Sequence, residues 1–265
     1  MNAERSDHPL RTAVVSSFTV IKGAQVEATY ALFRDWDLTA SRKANLDRFK
    51  ATGGTTANWR RDVAKTVNRR FDTEGRDRIL VELAQAGLAL DLWRPILLWH
   101  LTRDEFLVRD FLVNWLARQH EAGAWRLWTA DVMPYLEGLH ARTDLQIKDT
   151  WSPSTTNRAA SGLLGFAVDF GLMTGSIART FVSYHLPDPA LLYLLHAMIE
   201  QEPNPDRMLH AADWRLYLLS PAALQHELFR LHQLGRLHYE VAGSIAELRL
   251  SHRTAADFAR AELLR

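Results

Sequence analysis

A mainly α-helical fold, with an N-terminal helical bundle and a helical C-terminal domain carrying winged-helix-like β-hairpins, is predicted by three observations. Apolar residues recur at i, i+4 and i+7 through most of the first half. Helix-start signals of the Ser-Pro and Thr-x-x-Glu types precede apolar runs. Alternating, strand-like stretches gather around Gly turns only twice, both in the second half. The 265 residues are 47% hydrophobic and 24% charged with nine Trp, a globular composition large enough to bury a core without staples. With no Cys, zinc ribbons, thiol catalysis and disulfide frameworks are excluded, and a cytosolic home is favoured.

Taken in order, residues 1–21 read as a flexible N-terminal segment, 22–126 as the all-α bundle and 127–265 as the second, winged part. The first eleven residues hold Glu4, Asp7 and Pro9 and no apolar run, so no signal peptide is expected. Val26, Tyr30 and Phe33 mark one buried helix face, and a second helix covers Ala40 to Lys50 until Gly53-Gly54 breaks it. A third runs from about Thr56 to Phe71. Thr102-Arg103-Asp104-Glu105 has the form of a capping box opening a helix with two apolar rows, Leu107/Phe111/Trp115 and Val108/Leu112/Leu116, which places that helix centrally.

From Thr129 to Arg142 the pattern is again helical. Ser152-Pro153 is an N-cap and N1 pair for a helix that ends at Gly171. Leu172-Met173, a Thr174-Gly175-Ser176 turn and Ile177 to Tyr184 form a hairpin, so that helix, helix and hairpin follow in the order of a winged helix-turn-helix. An apolar helix spans Pro187 to Gln201, Pro203-Asn204-Pro205 is a linker, and Leu224, Leu228, Leu231 and Leu234 mark a helix ended by Gly235. The second hairpin pairs the stretch around Leu237, Tyr239 and Val241 with Ala246, Leu248 and Leu250 across Gly243-Ser244. Gly-Ser-Ile-Ala stands in both hairpins, which supports two tight turns; chance similarity of such turns explains the match at least as well as an internal duplication.

The net charge of +1 conceals segregation. Arg42 to Arg78 holds eleven Lys or Arg against five acids, a local +6, and the remainder is −5. Such a district suits an anionic partner, because phosphate affinity follows local charge. At about 100° per residue Trp59, Val63, Val67 and Phe71 form a docking stripe, with Arg61, Lys65 and Arg69 diametrically opposite and Arg60 and Arg70 at the flanks. Together with Arg42 and Lys43 these are candidate contacts to a phosphate backbone. A plain solvated basic face is the alternative. The second candidate is the start of the Ser152 helix, where Thr155, Thr156, Asn157 and Arg158 suit base edges and phosphates, with Arg179 as a contact on the wing. Any helix start has similar residues, and winged helices also dock proteins.

Enzyme signals are poor, so no catalytic residue, cofactor or metal is expected. There is no phosphate-binding Gly-rich loop, nucleophile elbow or HExxH, and the eleven His are scattered without acid partners at ligand spacing. Asp131 with Gln146-Ile147-Lys148 faintly resembles the Asp…Gln-x-Lys variant of a restriction-type nuclease site, but Asp131 lies in a helical pattern and no strand pair precedes Lys148. Uncharged runs such as 159–168 and 189–199 reach only about half of the roughly 20 residues a membrane span requires. No membrane contact is expected, and a cytoplasmic location is.

Three blocks carry a family resemblance. Trp151-Ser152-Pro153-Ser154-Thr155 leading to Ala160-Ser161-Gly162-Leu163-Leu164 and Asp169-Phe170-Gly171-Leu172 is the first. Leu186-Pro187 with Leu191-Leu192-Tyr193-Leu194-Leu195-His196 is the second, and Leu234-Gly235-Arg236-Leu237-His238-Tyr239 with Glu247-Leu248 the third. From about Ser17 to Leu250 the chain resembles the BrxA family of BREX (bacteriophage exclusion) systems. That resemblance implies a small, non-enzymatic, mostly helical subunit encoded beside a methyltransferase, a large ATPase and a phosphatase-like protein. It also implies double-stranded DNA and other BREX subunits as partners. A protein adaptor without direct DNA binding is the competing expectation.

Overall fold

Local sequence sets most of the helix starts, and one long-range ion pair overrides it. In the computed structural model, which describes residues 14–51, 56–139, 142, 145–147, 150–242 and 245–264, β1 (Val14–Val15) leads into α1 (Ser17–Ile21), α2 (Val26–Arg34), α3 (Arg42–Ala51) and α4 (Ala57–Arg70). The Thr56 hydroxyl accepts from the Trp59 N–H and caps α4, satisfying an amide that has no partner inside the helix. α5 (Arg78–Gln85) and α6 (Leu90–Asp104) follow, and every residue of α6 from Pro95 to Asp104 is buried. A helix apolar on most of its circumference belongs in a core, so α6 shares the central place expected of the helix after it. That next helix is α7 (Phe106–Asp110), which passes through a π-helical stretch (Phe111–Leu116) into α8 (Ala117–Glu121). Its two apolar rows face inward as expected, with Leu107, Val108, Phe111, Leu112 and Leu116 buried and Trp115 half-buried.

The capping box expected at Thr102–Glu105 does not form. Thr102 lies inside α6, and its hydroxyl donates to the Trp99 carbonyl. The chain breaks at Glu105, whose carboxylate accepts from the Thr19 hydroxyl (2.8 Å) and from Arg70 (3.2 Å) instead of an amide at its own helix start.

β2 (Arg126–Leu127), α9 (Thr129–Leu139), β3 (Gln146–Ile147) and α10 (Pro153–Asp169) come next, α10 being capped by the Ser152 hydroxyl with Pro153 in its first turn. β4 (Met173–Thr174) and β5 (Arg179–Phe181) make the first hairpin, shorter than expected because residues 175–178 all belong to the turn. Gly175 is required there: its φ is +102°, and a Cβ would lie 2.3 Å from the Ala178 carbonyl oxygen. β2 adds to this hairpin as a third antiparallel strand in the order β2-β5-β4. A two-residue strand has no readable periodicity, which is why the sequence did not suggest it. The boundary drawn between residues 126 and 127 falls inside this strand, and one hydrophobic core extends from Val15 to Leu263.

α11 (Asp188–Gln201), α12 (Pro205–Leu209), a 3-10 turn (Ala212–Tyr217), α13 (Pro221–Gln233), β6 (His238–Ala242) and β7 (Ile245–Arg249) form the C-terminal part, closed by α14 (Ala255–Phe258) and a π-helical turn (Ala259–Leu263). Asn204 caps α12, so the expected linker is the start of a helix. Ala242 pairs with Ile245 in the second hairpin, whereas Thr174 pairs with Thr180 in the first. The two Gly-Ser-Ile-Ala copies therefore serve loops of different length, and Gly243-Ser244 lie outside the described residues. The fold is mainly α, as expected.

The flexible segment assigned to residues 1–21 is a correction from Val14 onward. β1 pairs in parallel with β3, and α1 packs on α10 with Thr19 and Val20 buried. Gly162 makes the approach possible, since a Cβ there would stand 2.6 Å from the Val20 carbonyl oxygen.

Candidate nucleic-acid interface

α3 and α4 pack side by side and leave a groove of about 430 Å³ lined by Arg42, Lys43, Leu46, Asp47, Lys50, Arg61, Ala64, Lys65 and Asn68. Five cations face one carboxylate, a net of +4. α3 buries only Asn45 and Leu46, so its long charged side chains are free to line the groove rather than the core.

Each cation is held differently. Lys43 and Lys50 both reach Asp47, at 2.7 and 2.8 Å; their hydrogen bonds hold its carboxyl at about 2, and Asp47 in turn raises the Lys43 ammonium. Arg61 donates to Asn58 Oδ1 (2.6 Å) and to the Ala57 carbonyl (3.3 Å), contacts within its own helix that keep it on the outer surface. The Lys65 ammonium sits 4.1 Å from the Phe18 ring centroid of α1. Arg42 donates to the Phe71 carbonyl (3.0 Å), while its backbone N–H donates to Glu74 (2.8 Å). Arg60 donates to the Lys50 carbonyl and ties α4 to the end of α3.

The row on α4 is shorter than its spacing suggests. Arg61 and Lys65 line the groove, but Arg69 is turned toward Glu105, 3.5 Å away. Arg70 is a correction: at 0% exposure it is a core residue and offers nothing to an external phosphate. Trp59, expected on the buried stripe, is 40% exposed and leans on Phe49 of α3, because the first turn of α4 extends past the bundle. Lys50 and Asp47 belong to the groove and were not singled out; their i+4 and i+7 spacing from Lys43 would have placed Asp47 and Lys50 on one face with it.

At α10 the Thr155 hydroxyl lies 3.0 Å from the Ser152 hydroxyl, and the Thr156 hydroxyl donates to the Ser152 carbonyl (3.2 Å). Both are used by the cap, while Asn157 and Arg158 stand exposed in the following turn. Arg179 is the second correction. It is 7% exposed, donating to the Thr129 hydroxyl (3.1 Å), the Ile177 carbonyl (3.0 Å) and the Ser161 hydroxyl (3.1 Å). Burial lowers its guanidinium from the ordinary value. It braces the hairpin against α9 and α10 and does not project from the wing.

The histidines are also less isolated than their spacing implies. His100 lies 2.5 Å from the buried Asp77 carboxylate, and His238, Glu240 and Glu247 meet on the outer face of the last hairpin, where Arg249 is 2.5 Å from Glu247. Of the nuclease-like pattern, the Asp131 carboxylate, on α9, accepts the Trp128 N–H (2.7 Å). Gln146 does lie on a strand, β3, contrary to the sequence reading, and Lys148 lies outside the described residues. Among the described residues no helix is long and apolar enough to cross a membrane.

The BrxA family model matches residues 46–197, more than half of the chain and covering both α4 and α10. Neither curated proteins nor solved structures yield a match. On that match the chain belongs to the BrxA family and is a component of a BREX phage-defence system.

Proposed function

We propose that the chain acts in the cytoplasm as a non-enzymatic DNA-binding component of its BREX system, holding duplex DNA mainly by the phosphates and working beside other BREX subunits. The observation that carries this reading is the groove between α3 and α4, where five cations face one acid. Five fixed positive charges in a concave site concentrate the field that attracts a polyanion. Phosphate contacts carry no sequence information, so binding is tolerant of sequence and sensitive to salt.

The winged reading of α9, α10 and the β2-β5-β4 sheet is part of this proposal. Apart from β3, which lies between the two helices and pairs with β1, strand, helix, helix and hairpin follow in the order of a winged helix-turn-helix, with the first strand pairing to the last. The connection between α9 and α10, residues 140–152, is longer than the three or four residues of a simple helix-turn-helix. In this reading Asn157 and Arg158 are the exposed contacts of the recognition helix.

Fluorescence anisotropy of a labelled duplex across a salt series tests the proposal, with wild type beside Arg61→Glu/Lys65→Glu. The wild type binds at low salt with a steep slope of log affinity against log salt. The double variant loses more than about tenfold in affinity, and its slope falls by about two, one for each phosphate contact removed. Asp47→Asn has the opposite sign and binds more tightly, because the groove loses its one acid. No binding at low salt sinks the reading.

A specific feature favours the adaptor as a second reading. Around α13 and the last hairpin, Phe229, Leu234 and Val241 are exposed, and the one arginine of α13, Arg230, is already engaged by Asp188 (3.0 Å) and Glu227 (2.8 Å). An exposed apolar face of this kind suits a protein partner.

A further inference from the structure

Three of the large exposed apolar side chains belong to one small sheet, flanking its first strand or standing in its loop. Ile177, in the loop between β4 and β5, is 81% exposed, and Trp125 and Trp128, on either side of β2, are 62% and 45% exposed. Arg179 ties the Ile177 loop to the residue after Trp128, and the Arg126 guanidinium reaches both indoles. Arg179 Nη1 donates both to the Ile177 carbonyl and to the hydroxyl of Thr129, the residue after Trp128, while Nη2 donates to Ser161 of α10. Loop, start of α9 and middle of α10 are thus pinned to one buried guanidinium, and Ile177 is held out in water. An isoleucine on so rigid a mount is unfavourably hydrated until something covers it.

Two further observations select the occupant. The Arg126 guanidinium lies 4.0 Å from the Trp125 ring and 5.9 Å from that of Trp128, a stacking that steadies a cation at the surface. Ser161, where Arg179 is anchored, lies on the face of α10 that one turn earlier carries Asn157 and Arg158. The nearby carboxylate, Asp131, is occupied by the Trp128 N–H. An aliphatic loop tip on a sheet whose first strand carries a stacked arginine, tied through Arg179 to the helix with a polar and cationic start, matches a DNA groove.

We propose that Ile177 is an apolar wedge that enters the minor groove of a duplex and parts a base step, with Arg126 beside it in the groove, so that the chain bends the DNA it binds. This rests on the DNA reading above. Minor-groove proteins insert aliphatic side chains between base steps and kink the duplex by about 20–90°, and the negative potential of a narrow minor groove draws arginine into it.

The experiment is resonance energy transfer between the ends of a duplex of about 30 base pairs, read with anisotropy across salt for wild type, Ile177→Ser and Ile177→Leu. Wild type raises the transfer efficiency on binding. Ile177→Ser abolishes that rise and binds about tenfold more weakly, the effect of losing one buried aliphatic contact. Its salt slope stays that of wild type, because no phosphate contact is lost. Ile177→Leu keeps the bend. Wild-type bending in Ile177→Ser, or wild-type binding without bending, overturns the wedge while leaving the DNA reading standing, and assigns the patch to a protein partner. No duplex binding by wild type at low salt overturns both.

Discussion

Arg70→Ala lowers the unfolding free energy by about 3–5 kcal/mol, a large part of the roughly 5–15 kcal/mol that holds a domain folded. The guanidinium is wholly buried. Its Nε is 3.2 Å from Glu105, Nη1 donates to the Ala24 carbonyl (2.9 Å), and Nη2 donates to the carbonyls of Thr19 and Gly23 (3.0 Å each). Removing it strands a carboxylate in the core and takes the donor from three carbonyls at and beyond the end of α1, where a cation also complements the helix dipole. Burial pushes the guanidinium down from its ordinary value and Glu105 opposes that shift, so the pair stands or falls together. Arg69, 3.5 Å from the same carboxylate, offsets part of the loss. Arg70→Lys recovers little, because a point charge cannot reach acid and carbonyls at once. In urea denaturation, Arg70→Met/Glu105→Gln costs less than the sum of the single changes, since no charge is left unpaired. A loss under about 1 kcal/mol in Arg70→Ala would contradict this account. The same result bears on function, because weakened DNA binding in an Arg70 variant reports unfolding and not a lost contact.

Arg70 also shows where sequence reasoning stops. The helix Thr56 to Phe71 was legible from its apolar stripe, and the basic character of the stretch from counting alone. Periodicity puts Arg70 inside the stripe, between Trp59 and Val63 at about 100° per residue, so the flank position expected of it beside the basic row does not follow from its spacing. What spacing does not supply is the partners that let a guanidinium stay buried, Glu105 and the carbonyls at and beyond the end of α1, 35 or more positions away in sequence. Arg179 was misplaced for the same reason, since its partners Thr129 and Ser161 come from two other elements. Thr102–Glu105 carries every local mark of a capping box, yet the buried arginine claims the glutamate. The groove was half visible: Arg61 and Lys65 follow from helical spacing, whereas the contribution of α3 requires knowing that α3 and α4 lie side by side. Ile177 and the two indoles had no signal of their own, because exposure of an apolar residue is not written in its neighbours.

Asp77→Ala is expected to cost a similar 3–5 kcal/mol, and its surroundings give the fold a pH signature. The Asp77 carboxylate accepts from Arg76 through two nitrogens (2.7 Å each), from the Asp72 N–H (2.7 Å) and from His100 Nδ1 (2.5 Å), and His100 Nε2 faces the Tyr193 hydroxyl of α11 at 2.8 Å. This chain joins the start of α5 to α6 and α11. A neutral imidazole that donates from Nδ1 and accepts the Tyr193 proton at Nε2 satisfies both contacts. Burial would push Asp77 up, but hydrogen bonds from His100 and Arg76 hold it below the usual carboxylate range. Burial pushes His100 below its ordinary value, with Asp77 pulling the other way. Both folded values are depressed, so both groups lose stabilisation on acidification. The His100 contribution is complete above about pH 6.5, where the unfolded chain is also neutral, and is lost as pH falls toward its folded value. The Asp77 contribution is complete above about pH 3.9 and is lost as pH falls through a still lower value. Wild-type unfolding free energy therefore starts to decline near pH 6.5, and His100→Gln makes that first decline shallower. It does not abolish it, because burial also lowers His196, whose ring stacks on Phe258 at 4.7 Å. Denaturation midpoints measured from pH 7 to pH 5 distinguish the cases: an unchanged slope in His100→Gln means that the imidazole is not held neutral, and the relay from Asp77 to Tyr193 then runs through a charged ring.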